Sequence, residues 1–136
     1  MKRRVRATGP RADVVEAVLE RAQGLCEACG EMILGNVRGE DWSLQHRVAR
    51  GMGGSRRPIL NTPPNLLLVH GSGTTSCHGY IESHPVEATA AGWRLHSTAD
   101  PLAMPVIVGK SRWVLLTLKG GPDGYRDCAP PAGVSA

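Results

Sequence analysis

The chain has 136 residues, among them 17 glycines and 10 prolines, with 41% apolar residues, 4% aromatics and no phenylalanine. That length suits one domain, the glycine and proline share implies many turns, and the scarcity of rings excludes a large aromatic core. The formal net charge is +4. No apolar run approaches the roughly 20 residues that span a bilayer, and none follows the basic start, so the expectation is a soluble cytoplasmic protein with no membrane association and no secretory signal.

Residues 1–9 carry Lys2, Arg3, Arg4 and Arg6 without an acid and read as a disordered basic arm. Pro10 suits a first helical turn, after which Val14, Val15, Val18, Leu19 and Ala22 recur at helical spacing until Gly24 ends the helix. Residues 30–41 form a loop or short hairpin. Ser43 to Val48 alternates as a strand does, and residues 51–58 make a flexible basic loop. Pro63-Pro64 forces an extended entry to Asn65, with Leu66 to Val69 a short buried strand. Cys77 starts a helix that stops before Pro85, and Val86 to Ala91 continues as a helical turn ended by Gly92. Trp93 to His96 and Val106 to Leu118 read as strands, the latter folded at Gly109-Lys110 into a hairpin. From Gly120 the composition predicts a flexible tail, so the expected domain is 10–119 with an arm of 1–9 and a tail of 120–136.

Charge is unevenly placed along this order. Residues 10–41 hold seven acids against three arginines, whereas residues 42–81 hold Arg47, Arg50, Arg56 and Arg57 and no acid. An acid-free stretch bearing four arginines suits a polyanionic partner such as DNA, though a solvated loop has the same composition.

The cysteines point to a metal. Cys26-Glu27-Ala28-Cys29 is a C-x2-C knuckle, which in an intracellular chain reads as a zinc site before a disulfide. Zinc takes four thiolate or imidazole ligands. Cys77 is the third candidate. His70, separated from Cys77 by six residues that include Gly71 and Gly73, is preferred as the fourth over Cys128, which sits in a proline-rich tail.

Four features then fall in order: Cys26-x2-Cys29, Leu44-Gln45-His46-Arg47, Asn65, and Cys77-His78-Gly79-Tyr80. Over about residues 24 to 105 this set resembles the HNH endonuclease family, the zinc-knuckle type with a ββα-metal fold, and in particular the small HNH proteins of actinobacterial phages. The resemblance implies an α+β fold: a small zinc-stapled ββα-metal core with an N-terminal helix and a C-terminal β-hairpin. It also implies a hydrolase of DNA phosphodiester bonds, nicking or cutting duplex DNA and assisting phage packaging beside the terminase in the host cytoplasm. His46 would be the general base, Asn65 would brace the loop and orient it, and His78 would hold a divalent Mg2+ or Mn2+. Arg47, Arg50, Arg56 and Arg57 would contact phosphates.

One position departs from that pattern. The residue before the base histidine is commonly Asp or His and ligates the metal, and here it is Gln45. Its carbonyl is a neutral, weaker ligand for a hard cation. Glu82 lies four residues after His78 on the same helix face and is expected to add a carboxylate, with His84 a poorer candidate. Gln45 is equally what a zinc-stapled DNA-binding module with a decayed nuclease site would show.

Overall fold

A computed structural model describes residues 9–50 and 57–134. The basic arm of 1–8 and the glycine loop with Arg56 lie outside the described residues.

Helix α1 spans Ala12–Ala22. Arg11 is its extended N-cap, so Pro10 precedes the helix instead of sitting in its first turn. Asp13 in the first turn and Arg21 in the last both complement the helix dipole. The helix ends at Gln23, which takes a left-handed conformation (φ 51°), and Gly24 follows at φ 78°. Residues 25–32 fold back as the knuckle, closed by a bridge between Leu25 and Met32 and by the bond from the Cys26 N–H to the Glu31 carbonyl at 2.9 Å.

Strand β1 (Trp42–His46) pairs antiparallel with β2 (Leu66–His70), in a register that sets Ser43 against Val69, Gln45 against Leu67 and His46 against Leu66. Two 3-10 turns, Pro58–Asn61 and Pro63–Asn65, lead into β2. Residues 66–69 of β2 are buried on both faces, and the two-residue period of a strand sorts them into two cores. Leu66 and Leu68 pack with Leu44 against Val18 and Ala22 of α1. Leu67 and Val69 join a second cluster with Ile81, Ala88, Val106, Val114 and Leu116.

Helices α2 (Ser76–Ser83) and α3 (Pro85–Ala91) follow. Pro85 breaks the continuous helix and then serves as the first residue of α3, where its missing N–H is harmless. Gly92 caps α3 at φ 79°, and a Cβ there would lie 2.2 Å from the Pro105 carbonyl oxygen, so no other residue fits.

Strands β3 (Val106–Val108), β4 (Arg112–Leu116) and β5 (Tyr125–Asp127) form an antiparallel sheet in that order. The turn of 109–111 packs on the knuckle: a Cβ on Gly30 would lie 2.8 Å from the Gly109 Cα.

Two expectations are corrected. Residues 93–96 form no strand, only an isolated parallel bridge between Leu95 and Val48, because the chain leaves Gly92 in a turn beside the end of β1. The region from Gly120 does not begin a free tail. Gly121–Asp123 makes a 3-10 turn beside α1, and β5 completes the sheet, so the expected hairpin has three strands. Tyr125 anchors this segment by donating its hydroxyl to Glu27 at 2.5 Å. The fold is mixed α and β, and among the described residues no helix is long and apolar enough to cross a membrane.

Candidate functional site

The knuckle, the end of β2 and the first turn of α2 meet at one point. Cys26, Cys29, His70 and Cys77 bring their ligand atoms within 4.8 Å of one another, a Cys3His group that could hold a metal ion. His70 Nδ1 lies 3.4 Å from Cys29 Sγ and 3.6 Å from Cys77 Sγ. Its other nitrogen, Nε2, donates to the Met32 carbonyl at 3.1 Å, which fixes the tautomer with the Nδ1 lone pair facing the thiols. The Glu31 amide donates to Cys29 Sγ at 3.4 Å. Burial, together with the neighbouring Cys26 and Cys29, pushes the Cys77 thiol up to about 12. Burial also raises Cys26. Thiols so crowded resist becoming thiolates on their own, and a bound divalent cation removes that resistance. The donor set of three sulfurs and one imidazole fits zinc. Cys128 takes no part in the group, as β5 carries it to Trp113, whose carbonyl its amide meets at 3.2 Å.

Further candidate side chains lie at the end of β1 and on α2. His46 closes β1 and is partly buried; its Nε2 donates to Asn61 Oδ1 at 3.0 Å. Burial lowers the His46 pKa, the hydrogen bond to Asn61 opposes that, and Arg50 and Arg38 lower it further. His78 lies in the first turn of α2, with Nδ1 2.6 Å from Ser43 Oγ and Nε2 4.0 Å from Glu82 Oε1. Its pKa is also lowered, chiefly by burial, with Glu82 raising it and His46 lowering it. Both imidazoles are therefore held toward the neutral form, the form that accepts a proton or ligates a metal. Arg50 and Arg38 reach this group electrostatically, and Arg38 lies over the Trp42 ring at 5.7 Å. Arg57 is exposed and donates to the Ser97 and Ala99 carbonyls.

Comparison with known proteins adds no relative. No family model matches the chain, and neither a curated protein nor a solved structure matches it.

Three of the expected site residues hydrogen-bond to the backbone. Arg47 is 1% exposed. Its guanidinium donates to five backbone carbonyls, those of Pro64, Gly92, Pro101, Met104 and Pro105. It cannot contact DNA; it ties β1 to the end of α3 and to the loop of 101–105. Gln45 is 2% exposed and donates its amide to the His46 carbonyl at 3.0 Å and to that of Trp93 at 3.5 Å. These bonds use its NH2 and do not involve its carbonyl oxygen, the atom that would ligate a cation. Asn65 is fully buried, accepts from the Val48 amide and donates to the Val48 and Leu60 carbonyls. It thereby ties the start of β2 to residues 48 and 60, and the side chain that touches His46 is Asn61. His84 also stands apart, its ring stacked on Tyr80 and its Nδ1 near the Tyr80 carbonyl.

Sequence reasoning missed Ser43 and Asn61, since a serine in a strand and an asparagine before a proline pair have no distinctive pattern. It also missed the buried Arg21–Glu27 pair. Arg21 makes a two-pronged contact with Glu27 at 2.8 and 2.7 Å and donates to the Pro63 and Leu66 carbonyls, while Glu27 accepts from the Leu68 amide. Glu27, inside the C-x2-C knuckle, thus locks the knuckle onto α1, β2 and β5.

Proposed function

We propose that the chain is a metal-dependent endonuclease of the HNH kind that hydrolyses DNA phosphodiester bonds, with zinc held by Cys26, Cys29, His70 and Cys77 as a structural staple. The observations that carry this reading are two imidazoles held toward the neutral form, His46 at the end of β1 and His78 beside Glu82 on α2, near enough for His46 to lower the pKa of His78. Hydrolysis of a phosphodiester needs a base for water and charge relief at the phosphate and its leaving oxygen. With Nε2–H engaged by Asn61, His46 keeps a lone pair on Nδ1 to take the proton of a water. His78 and Glu82 would hold a Mg2+ or Mn2+ ion, which supplies Lewis-acid stabilisation of the phosphate when bound. Arg50 and Arg38, and Arg57 on the same side of the sequence, would meet flanking phosphates. Arg47 has no place in this interface.

The test is relaxation of supercoiled plasmid by the zinc-loaded protein with Mg2+, with Mn2+ or with EDTA, beside His46→Ala. Metal-dependent nicking that is lost in the variant supports the proposal. Equal activity in the two proteins refutes it.

Gln45 favours a second reading. A neutral amide at the position before His46 ligates a hard cation more weakly than a carboxylate, which is what a DNA-binding module with a decayed site would retain. A folded, zinc-bound protein that binds DNA but does not cleave it with any divalent metal would establish that alternative.

A further inference from the structure

We propose that Ser43 is a positioning residue for the divalent-ion pair His78–Glu82: its Oγ accepts the Nδ1–H of His78 and so keeps the Nε2 lone pair turned toward Glu82. The inference rests on reading His78 and Glu82 as the ion-holding pair.

The placement follows from the strand. Ser43 lies opposite Val69 in the β1–β2 register, and Val69 packs in one cluster with Ile81 of α2. The sheet face that carries Ser43 is thus the face against α2, and its hydroxyl meets His78 Nδ1 at 2.6 Å. A neutral imidazole has one N–H and one lone pair. When the Nδ1–H donates to Ser43, the lone pair is on Nε2, and that atom is the one 4.0 Å from Glu82 Oε1. Two ligands at about 2.1 Å from one octahedral ion lie roughly 3 Å apart when adjacent and about 4.2 Å apart when opposite, so this spacing is one that a Mg2+-sized ion can bridge with little movement. Exposure gives the approach a direction. The His78 side chain is 14% exposed and that of Glu82 is 46%, so the serine end is enclosed and the carboxylate end is open to solvent. A hydrogen bond from the non-ligating nitrogen is the common way a protein fixes a histidine ligand, and removing such a partner costs about 10- to 100-fold in metal affinity. With the opposite tautomer, an N–H would point at Glu82 and no ion would be held by His78.

The experiment uses the full-length zinc-loaded protein. Mn2+ affinity is measured by calorimetry for wild type, Ser43→Ala and Ser43→Thr, and the His78 tautomer is read from long-range proton–nitrogen correlations with Mg2+ bound. Ser43→Ala is expected to weaken Mn2+ binding at least tenfold and to lose the single Nδ1–H pattern, while Ser43→Thr, which retains the hydroxyl, keeps both. Unchanged affinity in Ser43→Ala overturns the proposal. So does an Nε2–H pattern in ion-bound wild type, which is decisive even if the alanine variant does not fold. Plasmid cleavage measured in parallel separates the two readings. Wild type that binds Mn2+ more tightly than Ser43→Ala but cuts no DNA sinks the nuclease and leaves Ser43 in its role. Wild type that cuts DNA while Ser43→Ala binds Mn2+ equally well sinks the role of Ser43 alone, and wild type that binds no Mn2+ overturns both.

Discussion

Replacing Arg47 by alanine tests the distinction between an arginine that builds the fold and one that meets DNA. All five of its N–H groups donate to carbonyls, at 2.8 Å to Gly92 and Met104, 3.0 Å to Pro64 and Pro101 and 3.3 Å to Pro105. A hydrogen bond to a charged group is worth about 1.5–3 kcal/mol net, so a simple sum over the five would reach about 7–15 kcal/mol. That equals the whole stability of an ordinary domain, about 5–15 kcal/mol, and overstates the loss. Water entering the vacated space rehydrates part of the carbonyl cage, and removing the guanidinium also removes the cost of burying its charge. Each carbonyl left buried and unpaired costs about 1–3 kcal/mol, so two that water does not reach give a loss of roughly 4 kcal/mol, the value expected here. For a chain of this size that corresponds to a fall of roughly 10–20 °C in Tm. Arg47→Lys should recover only part of it, because one ammonium cannot reach five acceptors spread over three segments. The assay is thermal unfolding followed by circular dichroism at fixed free zinc, with DNA affinity measured by fluorescence anisotropy below both transitions. The folded variant should bind DNA within about twofold of wild type. A Tm within a few degrees of wild type, together with a clear loss of DNA affinity, would refute the reasoning and return Arg47 to the surface.

Cys26→Ser should abolish stoichiometric zinc and unfold the protein at room temperature, as should a strong chelator, because metal binding and folding are one equilibrium at such a site; elemental analysis and circular dichroism check this. Arg50→Ala should leave Tm unchanged, weaken DNA binding, and reduce the slope of log affinity against log salt by about 0.9, the release of one counterion, in a salt titration. His46→Ala should lower plasmid cleavage by about 10²–10⁴-fold while the zinc content stays at one per chain. The pH dependence of that activity has a definite sign. Burial holds the His46 pKa below its ordinary value. The base therefore stays neutral from high pH down through about 6.5, the ordinary histidine value, and the acid limb of the rate profile lies below that. The same shift makes a stability contribution that is intact above about 6.5 and is lost as pH falls from there through the folded-state pKa, because the unfolded chain binds the proton more readily. A rate profile with its acid limb at 7 or above would contradict the burial of His46.

Much of the local structure was legible in the residues. The valines and Leu19 at helical spacing mark α1, the run of Leu66 to Val69 marks a strand buried on both faces, and Pro85 and Gly92 punctuate the helices where the structure has them. The metal group was legible for a chemical reason: zinc accepts few residue types, and Cys26, Cys29, Cys77 and His70 are of those types in a chain that holds four cysteines. The strand expected at 93–96 and the loose tail from 120 failed for a common reason. Trp93 to His96 has the composition of a strand but no partner edge to pair with, while the Gly- and Pro-rich stretch after Gly120 finds one in β4. Pairing depends on what lies alongside, which composition does not record.

The sequence by itself determined the metal-binding donor set, the order of strand, strand and helix that follows the knuckle, and the concentration of positive charge in residues 42–81. What it left to the tertiary structure is which of several chemically identical side chains faces solvent. Arg47 and Arg50 are the same residue three positions apart, yet one fills a cage of carbonyls and the other acts on His46 only through its charge. Gln45, at a position that reads as a ligand, donates its NH2 to backbone carbonyls, while Ser43, two residues earlier, meets His78. The physical reason is that a polar side chain buried without a partner is costly, so each one's role is set by the donors and acceptors that packing brings within 3 Å of it, and those come from segments distant in the chain.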